Sequence, residues 1–330
     1  MIQNQWYVIL RSKEVKKGKP VGFTRLGENM VAWRLDDDRV VVQSDICPHR
    51  GAALHQGKLM DETIQCPFHG FEFDASGACQ YIPARGKTVP PPKIFQVKTY
   101  PSQERHGYIF IWYGEEQESY PPIPIYEELT SGFDYADYAE SWTVHYSRAI
   151  ENQLDVFHLP FPHRTTIGRG NRVISDGPLV RMVGDEMQIW VYSRKEDGSP
   201  ARKASELAQP FRPPFLHFRF PHLWQNHISD DFRITVYFTP IDEGNTIMYT
   251  RYYQRMVKVP LLGWFIAWLS SIFSIIILHQ DKRVVEKQLP IKSDFKMGEK
   301  LISADQPIIL YRRIRKALQD GKTIQEINAE

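Results

Sequence analysis

Two short segments that each combine a cysteine with a histidine constrain this chain more than any other feature of its sequence. The first segment contains Cys47 and His49, and the second, after sixteen intervening residues, contains Cys66 and His69. A thiolate is a soft ligand and an imidazole a borderline one, so each pair can bind a transition metal or a metal cluster. The spacing therefore predicts a metal site built from two loops.

Two kinds of centre use these residue types. Structural zinc sites usually take a pair of cysteines followed by a pair of histidines, whereas here each pair is mixed. In a Rieske [2Fe–2S] centre, two histidines replace two cysteines on one of the two irons. Two mixed pairs on facing loops suit that centre, and zinc is the alternative. The loops would be shaped by Pro48, Gly51, Pro67 and Gly70, which let backbone N–H groups approach the sulfurs.

The wider sequence around both pairs resembles the two-loop signature of Rieske proteins. The stretches concerned are CPHRG at 47–51 and CPFHGFEFDASGAC at 66–79. This resemblance implies that Cys47, His49, Cys66 and His69 hold a [2Fe–2S] cluster. Cys79 lies outside both pairs and is expected to be a buried or partly buried thiol.

A second group of candidate ligands lies in ENQLDVFHLPFPH at 151–163, which contains Asp155, His158 and His163. Pro160 and Pro162 would end a helix, so His158 is expected near a helix end and His163 on a following loop. Two histidines and one carboxylate with open positions form the ligand set of non-heme Fe(II) oxygenases. Taken alone, two histidines are weak evidence for a metal site and more often have a structural role.

Together the two groups resemble the Rieske non-heme iron oxygenases, which include ring-hydroxylating oxygenase α subunits and related demethylases. The resemblance implies that His158 and His163 bind a mononuclear Fe(II). It also implies that Asp155 bridges one of these histidines to His69 of a neighbouring subunit, and that Asn152 lies near the iron.

The same resemblance implies a third iron ligand, a carboxylate on a long helix near the C-terminus, in an Asp-rich or Glu-rich pattern followed by a glutamine. The stretch HQDKRVVEKQ at 279–288 fits this pattern. Asp281 is the preferred candidate and Glu286 the alternative.

An apolar segment, residues 259–278, precedes Asp281 and contains no charged residue. It is long enough to cross a membrane. On a helix, one line would carry small residues and the carboxylate, and the opposite side large apolar residues. The small-residue line contains Gly263, Ala267, Ser270, Ser274 and Asp281, and the opposite side contains Phe265, Trp268, Ile272 and Ile276. Basic residues flank the segment at Arg251, Arg255, Lys258, Lys282 and Arg283. We predict the wall of a substrate pocket, with contact to a membrane surface or a true span as alternatives.

Composition limits the remaining choices. The chain has 330 residues, of which 42% are hydrophobic and 24% charged, and a net charge of +2. These values are typical of globular proteins and do not indicate nucleic-acid binding. Three cysteines are too few for a disulfide scaffold, and the N-terminus shows no signal-peptide pattern, so we expect a cytoplasmic protein, with peripheral membrane contact as an alternative.

The predicted fold is α+β. Strand-like runs indicate an all-β Rieske domain at residues 1–118. The resemblance implies that residues 119–330 form a catalytic domain of the helix-grip type, in which an antiparallel sheet wraps a long C-terminal helix.

The predicted function is that of a terminal oxygenase which hydroxylates or oxidatively demethylates a small hydrophobic molecule with O2. No glycine-rich nucleotide-binding motif is present, so electrons from NAD(P)H would come through a separate ferredoxin or flavin reductase. The resemblance also implies a homotrimer. The alternatives are a ring-dihydroxylating oxygenase, a Rieske electron carrier without chemistry of its own, and a lipid-binding module with a vestigial cluster.

Overall fold

The computed structural model describes residues 1–208, 210, 212–259 and 261–329. The chain divides into an N-terminal unit, Gln3–Ile123, and a C-terminal unit, which consists of Met1–Ile2 together with Pro124–Glu330. Each unit has its own hydrophobic core. The domain boundary between residues 118 and 119 stays a prediction.

The N-terminal unit is built from short antiparallel strands. They are β1 (Gln5–Arg11), β2 (Val21–Arg25), β3 (Glu28–Arg34), β4 (Val40–Ser44), β5 (Lys58–Met60), β6 (Thr63–Gln65), β7 (Glu72–Asp74), β8 (Cys79–Tyr81), β9 (Thr99–Tyr100), β10 (Ser102–Arg105) and β11 (Tyr108–Tyr113). In the described part of the chain they form three sheets, ordered β1-β11-β10, β2-β3-β4-β9 and β5-β6-β7-β8.

One hydrophobic cluster of the N-terminal unit reaches the predicted cluster ligands. Strands β3 and β4 are rich in β-branched and aromatic residues, which suit a half-buried pleated surface. Trp33 and Phe73 are fully buried in this cluster, and Cys47 and Cys66 are buried with them. The two cysteines therefore lie at the edge of a packed core, where solvent does not reach their sulfurs freely.

The C-terminal unit combines long strands with helices. In chain order they are β12 (Asp134–Trp142), α1 (Tyr146–Leu154), β13 (Ile174–Val183), β14 (Glu186–Arg194), β15 (Leu216–Arg219), β16 (Leu223–Ser229), β17 (Phe232–Pro240), β18 (Thr246–Gln254), α2 (Leu262–Val285), α3 (Gln306–Gln319) and α4 (Ile324–Ala329).

The strands of this unit form one antiparallel sheet, ordered β12-β18-β17-β16-β15-β14-β13. Its core contains the fully buried side chains of Trp142, Phe218, Phe238 and Tyr311, so α3 shares a core with the sheet. Helix α2 packs against β12 and β18. The predicted α+β class is confirmed: an all-β N-terminal unit is followed by an antiparallel sheet with a long helix.

Helix α2 begins three residues later than the predicted apolar segment and extends beyond it to Val285. Pro260 of that segment lies outside the described residues. The small side chains at Gly263 and Ala267 are buried, which lets the helix approach the sheet closely.

One of the basic residues that flank the apolar segment, Arg251, lies inside the sheet. The Arg251 side chain is fully buried, and its Nε donates to Asp137 Oδ1 at 2.5 Å across the β12–β18 pair. The arginine therefore neutralises a partly buried carboxylate within the sheet and is not part of a basic surface.

Gly263 provides a test of the packing between α2 and the sheet. An added Cβ atom would lie 2.0 Å from Asp134 Oδ2 and 2.7 Å from the Val257 carbonyl oxygen. We expect Gly263→Ala to destabilise the holoenzyme by about 1–3 kcal/mol through overpacking. The measurement is the midpoint of thermal unfolding.

The matched control is Gly244→Ala, because a Cβ there has one neighbour within 4 Å, Asp242 Oδ1 at 3.8 Å. Its stability should stay within about 0.5 kcal/mol of the wild type. Equal melting temperatures for both variants would contradict the close packing at Gly263.

Candidate metal centres

Three predicted iron ligands come together in the C-terminal unit. Asp281 Oδ1 lies 2.9 Å from His163 Nε2 and 3.4 Å from His158 Nε2. One ligand atom from each of the three residues falls within 4.8 Å of the others. His163 and Asp281 are buried and His158 is nearly so. Two imidazoles and one carboxylate thus converge on a single point.

The end of α1 explains how both histidines reach this point. Asp155 follows α1, and its Oδ1 accepts hydrogen bonds from the backbone N–H groups of Phe157 and His158. The chain then turns, with the Phe161 N–H donating to the His158 carbonyl. A Cβ at Gly168 would lie 2.1 Å from the Leu159 carbonyl oxygen, so this loop requires a glycine there.

Hydrogen bonds at the opposite ring nitrogens orient both imidazoles. His158 Nδ1 lies 3.1 Å from the Asp155 carbonyl oxygen, and His163 Nδ1 lies 2.8 Å from Gln280 Oε1. Both acceptors are oxygens, so each Nδ1 carries the proton and each Nε2 lone pair is left for a metal. Thr166 also donates to Gln280 Oε1, at 2.9 Å.

The Asp281 carboxylate fits a bound cation. Its Oδ1 is buried and, among the described residues, has no hydrogen-bond partner of acceptable geometry despite its short distances to both imidazoles. Burial alone would lower the pKa of His158 and raise that of Asp281. The contacts of His158 with Asp155 and Asp281 outweigh burial and raise the pKa of His158 to about 10, while the imidazoles lower the pKa of Asp281. A metal ion would replace the imidazole proton as the carboxylate's countercharge.

A cavity of about 1110 Å³ adjoins these three residues. Its lining is mostly apolar and includes Leu216, Trp224, Val236 and Leu278. The volume suits a small organic molecule.

Only some residues of the small-residue line of α2 face the cavity. Ser270 and Ser274 line the cavity with Asp281. Ala267, although fully buried, is absent from the lining and does not face the cavity. Asn152 is also absent from the lining, and its place near the iron stays a prediction. Glu286, the alternative third ligand, accepts a hydrogen bond from the Thr143 N–H at 2.7 Å and is absent from the three-residue group.

The two cysteine–histidine loops of the N-terminal unit share one backbone pattern. The Cys47 N–H donates to the Ala52 carbonyl and the Gly51 N–H to the Cys47 carbonyl. In the second loop the Cys66 N–H donates to the Phe71 carbonyl and the Gly70 N–H to the Cys66 carbonyl. Both glycines have positive φ, +74° and +72°, which favours glycine at the same step of each turn.

These loops place like ligands together. The Cys66 thiol is a close neighbour of the Cys47 thiol, and the centroids of the His49 and His69 rings are 4.6 Å apart. His49 is stacked on Phe71, and its buried Nδ1 has no hydrogen-bond partner among the described residues. His69 is exposed.

The arrangement fits two metal positions better than one. A tetrahedral zinc ion, with bonds of about 2.0–2.3 Å, would draw all four ligand atoms within about 4 Å of one another. In the part of the chain that the structure describes, His158, His163 and Asp281 are the only group of three or more ligand atoms within 4.8 Å. A thiol pair and a separate imidazole pair match the ligand division of a Rieske cluster.

The cysteine thiols differ in their surroundings. Burial and the neighbouring Cys66 raise the pKa of Cys47 to about 11, and a cluster iron would reverse this by stabilising the thiolate. Cys79 is half-buried and donates to the Tyr81 carbonyl. Burial also raises the pKa of Cys79, as expected for an inert thiol.

Comparison with known families accounts for both sites. Residues 5–101 match the Rieske [2Fe-2S] domain, and residues 142–321 match the Vanillate O-demethylase oxygenase C-terminal domain. The second match alone covers more than half of the chain. The chain therefore belongs to the Rieske oxygenases, which confirms the resemblance inferred from its sequence. A [2Fe–2S] cluster and a non-heme iron are the cofactors of this family.

Individual relatives match parts of the chain. Aminopyrrolnitrin oxygenase PrnD from Pseudomonas fluorescens is 36% identical over 168 residues, 49% of this chain and 46% of that protein. The oxygenase component of dicamba O-demethylase from Stenotrophomonas maltophilia is 32% identical over 172 residues, 49% of this chain and 48% of that protein. The chain spans about half the length of the curated relatives it matches.

Solved structures share the fold along nearly the whole chain. NdmA from Pseudomonas putida CBB5 with caffeine has a TM-score of 0.76 at 23% identity and covers 96% of this chain and 91% of its own. Dicamba monooxygenase bound to dicamba has a TM-score of 0.74 at 20% identity and covers 97% and 98%.

Gln280 was not identified from the sequence, and its contact with His163 suggests a test. We expect Gln280→Leu to weaken iron binding at the mononuclear site by about 10–100-fold, because His163 loses the acceptor that fixes its ring. The measurement is an iron titration of protein whose cluster is intact.

Gln288→Leu is the control, because Gln288 is exposed beyond the end of α2. It should bind iron like the wild type. If Gln280→Leu also did so, the ring orientation of His163 would not depend on this contact.

Proposed function

We propose that this chain is the terminal oxygenase of a Rieske-type system, which uses O2 and electrons from NAD(P)H to hydroxylate or oxidatively demethylate a small hydrophobic organic molecule. The observation that carries this proposal is the convergence of His158, His163 and Asp281 at the wall of a large apolar cavity. Relatives named as a dicamba O-demethylase and a toluene-4-sulfonate monooxygenase subunit support the choice of demethylation or monooxygenation.

The chain's own residues bind the substrate and position the ligands. Iron in this site would supply oxygen activation, with electrons from the cluster. The apolar lining excludes water and holds the hydrophobic part of the substrate. Asn226 and Thr250 line the cavity, and Asn226 Oδ1 and Thr250 Oγ1 are buried without a hydrogen-bond partner among the described residues. At a polar group of the substrate, the Asn226 amide oxygen can accept a hydrogen bond and the Thr250 hydroxyl can accept or donate one.

Electron delivery involves further proteins and a second copy of the chain. We assign residues 1–118 to the Rieske domain and 119–330 to the catalytic domain, with a separate ferredoxin or flavin reductase as electron donor and a cytoplasmic location. In a head-to-tail homotrimer, Asp155 would bridge His158 to His69 of the neighbouring subunit. His69 is exposed, and the Asp155 side chain is 24% exposed, so both are accessible to such a contact.

Iron content separates an oxygenase from a simple electron carrier. We expect about three irons per chain, two in the cluster and one at the mononuclear site. His158→Ala should reduce this to about two while the visible absorption of the cluster persists, because only the mononuclear site loses a ligand. Two irons in the fully loaded wild-type protein would favour the carrier.

The bridging role of Asp155 is tested by Asp155→Asn. The amide oxygen can still accept from the N–H groups of Phe157 and His158, so metal content should not change. Reductase-driven product formation should fall by about 10–100-fold, since the charged link is lost. The control is Asp294→Asn, an exposed aspartate that also accepts a backbone N–H. Normal product formation by Asp155→Asn would rule out the bridge.

A further inference from the structure

The outward side of α2 is a large exposed apolar surface. Seven apolar side chains of this face, which recur every three or four residues, are between 39% and 54% exposed: Trp264, Phe265, Trp268, Leu269, Ile272, Phe273 and Ile276. At 100° per residue they occupy about half of the helix circumference. We call these seven residues the outer face of α2. Soluble proteins rarely leave so large an apolar surface in water.

The helix is fixed to the protein along its other side. Among the described residues, α2 is the one helix long and apolar enough to cross a membrane, and 22% of its most apolar window is buried. Ala267 and Asp281 are buried, and Lys282 Nζ donates to Glu140 Oε1 of β12 at 2.6 Å. Crossing a bilayer would require the helix to leave the sheet and withdraw Asp281 from both histidines. A helix held in this way can only lie in the surface of a membrane.

Charge at the ends of the outer face favours an anionic surface. Lys258 precedes the helix and Arg283 follows the apolar stretch, and both side chains are exposed. Arg255 is neutralised by Asp231 at 2.9 Å and adds little. The helix has no acidic residue before Asp281. Tryptophans beside basic residues are typical of the boundary between lipid head groups and acyl chains.

The outer face also continues into the cavity. Leu269 and Phe273 belong to both, since each is about half exposed and lines the cavity. Ile167, Ile228 and Met256 likewise line the cavity and are exposed. These five apolar residues mark the mouth of the cavity, at the edge of the outer face.

We infer that the outer face of α2 docks on an anionic lipid bilayer, so that the cavity mouth opens onto the acyl chains. This inference rests on the proposed function for the use of the cavity, and it narrows the substrate class to molecules that dissolve in lipid. A second copy of the chain is the less favourable occupant. In a contact between the outer faces of two copies, the positively charged ends would meet and repel each other. The head-to-tail homotrimer proposed above joins unlike surfaces around Asp155 and His69, so it does not require this face.

Vesicle flotation of the holoenzyme tests the docking. The wild type should float with vesicles of phosphatidylcholine and phosphatidylglycerol, and less with phosphatidylcholine alone or at high salt. Trp268→Gln/Ile272→Gln should weaken binding at least about tenfold, because two side chains no longer enter the acyl region. Lys258→Gln should weaken binding to the mixed vesicles about fivefold.

The matched control is Val183→Gln/Ile309→Gln, which changes two apolar side chains of similar exposure, 54% and 42%, outside α2. It should bind like the wild type. Lipids brominated in their acyl chains should quench tryptophan fluorescence of the wild type on binding, and Trp264→Phe/Trp268→Phe should lose this quenching while it still floats.

Absence of flotation, or equal loss in the control variant, would overturn the inference. It would also be overturned by a wild-type oligomer that dissociates in Trp268→Gln/Ile272→Gln without any flotation, because the outer face would then join copies of this chain. His158→Ala should float like the wild type. Flotation tests the docking and iron content tests the oxygenase assignment. The failure of one proposal can therefore be distinguished from the failure of the other.

Discussion

The contact of the buried Asp281 carboxylate with two imidazoles joins distant segments of the C-terminal unit at the candidate iron site. The carboxylate comes from α2, whereas the two imidazoles that face it come from the loop after α1, more than a hundred residues earlier in the chain. A carboxylate this deeply buried is costly unless opposite charge meets it. The imidazoles or a cation supply that charge, so the position of α2 and the binding of metal depend on each other.

The two cysteine–histidine loops are held by local backbone hydrogen bonds and not by a contact between distant segments. Each repeats the same two backbone hydrogen bonds, with a glycine of positive φ at the fifth position of the loop. Loops held by their own backbone present Cys and His without help from distant elements. The predicted cluster ligands differ in burial, since both cysteines lie against the core whereas His69 is exposed to solvent.

The sequence predicted most where chemistry is local. The spacing of Cys47, His49, Cys66 and His69, and of His158 and His163, lies within short segments, and the α+β class followed from strand patterns and family resemblance. Contacts between distant segments were not predictable. Gln280 gains its role when α2 meets the loop of His163, and Arg251 is buried because Asp137 lies opposite it on β12. The sequence could not show which small residues of α2 face the sheet and which face the cavity. The sides of the helix that face the sheet, the cavity and the solvent are all uncharged, so no polar pattern distinguishes them.

Helix α2 joins two features that would otherwise be independent. One rigid element carries the outer face at one side and Asp281 and Gln280 near its end. Two binding equilibria that act on the same helix are coupled reciprocally. If docking changed the free energy of iron binding, iron binding would change the free energy of docking by the same amount. If α2 docks as proposed, iron binding and the distribution between water and lipid are linked only to the extent that docking changes iron affinity, and equal flotation of the wild type and His158→Ala would set that link close to zero.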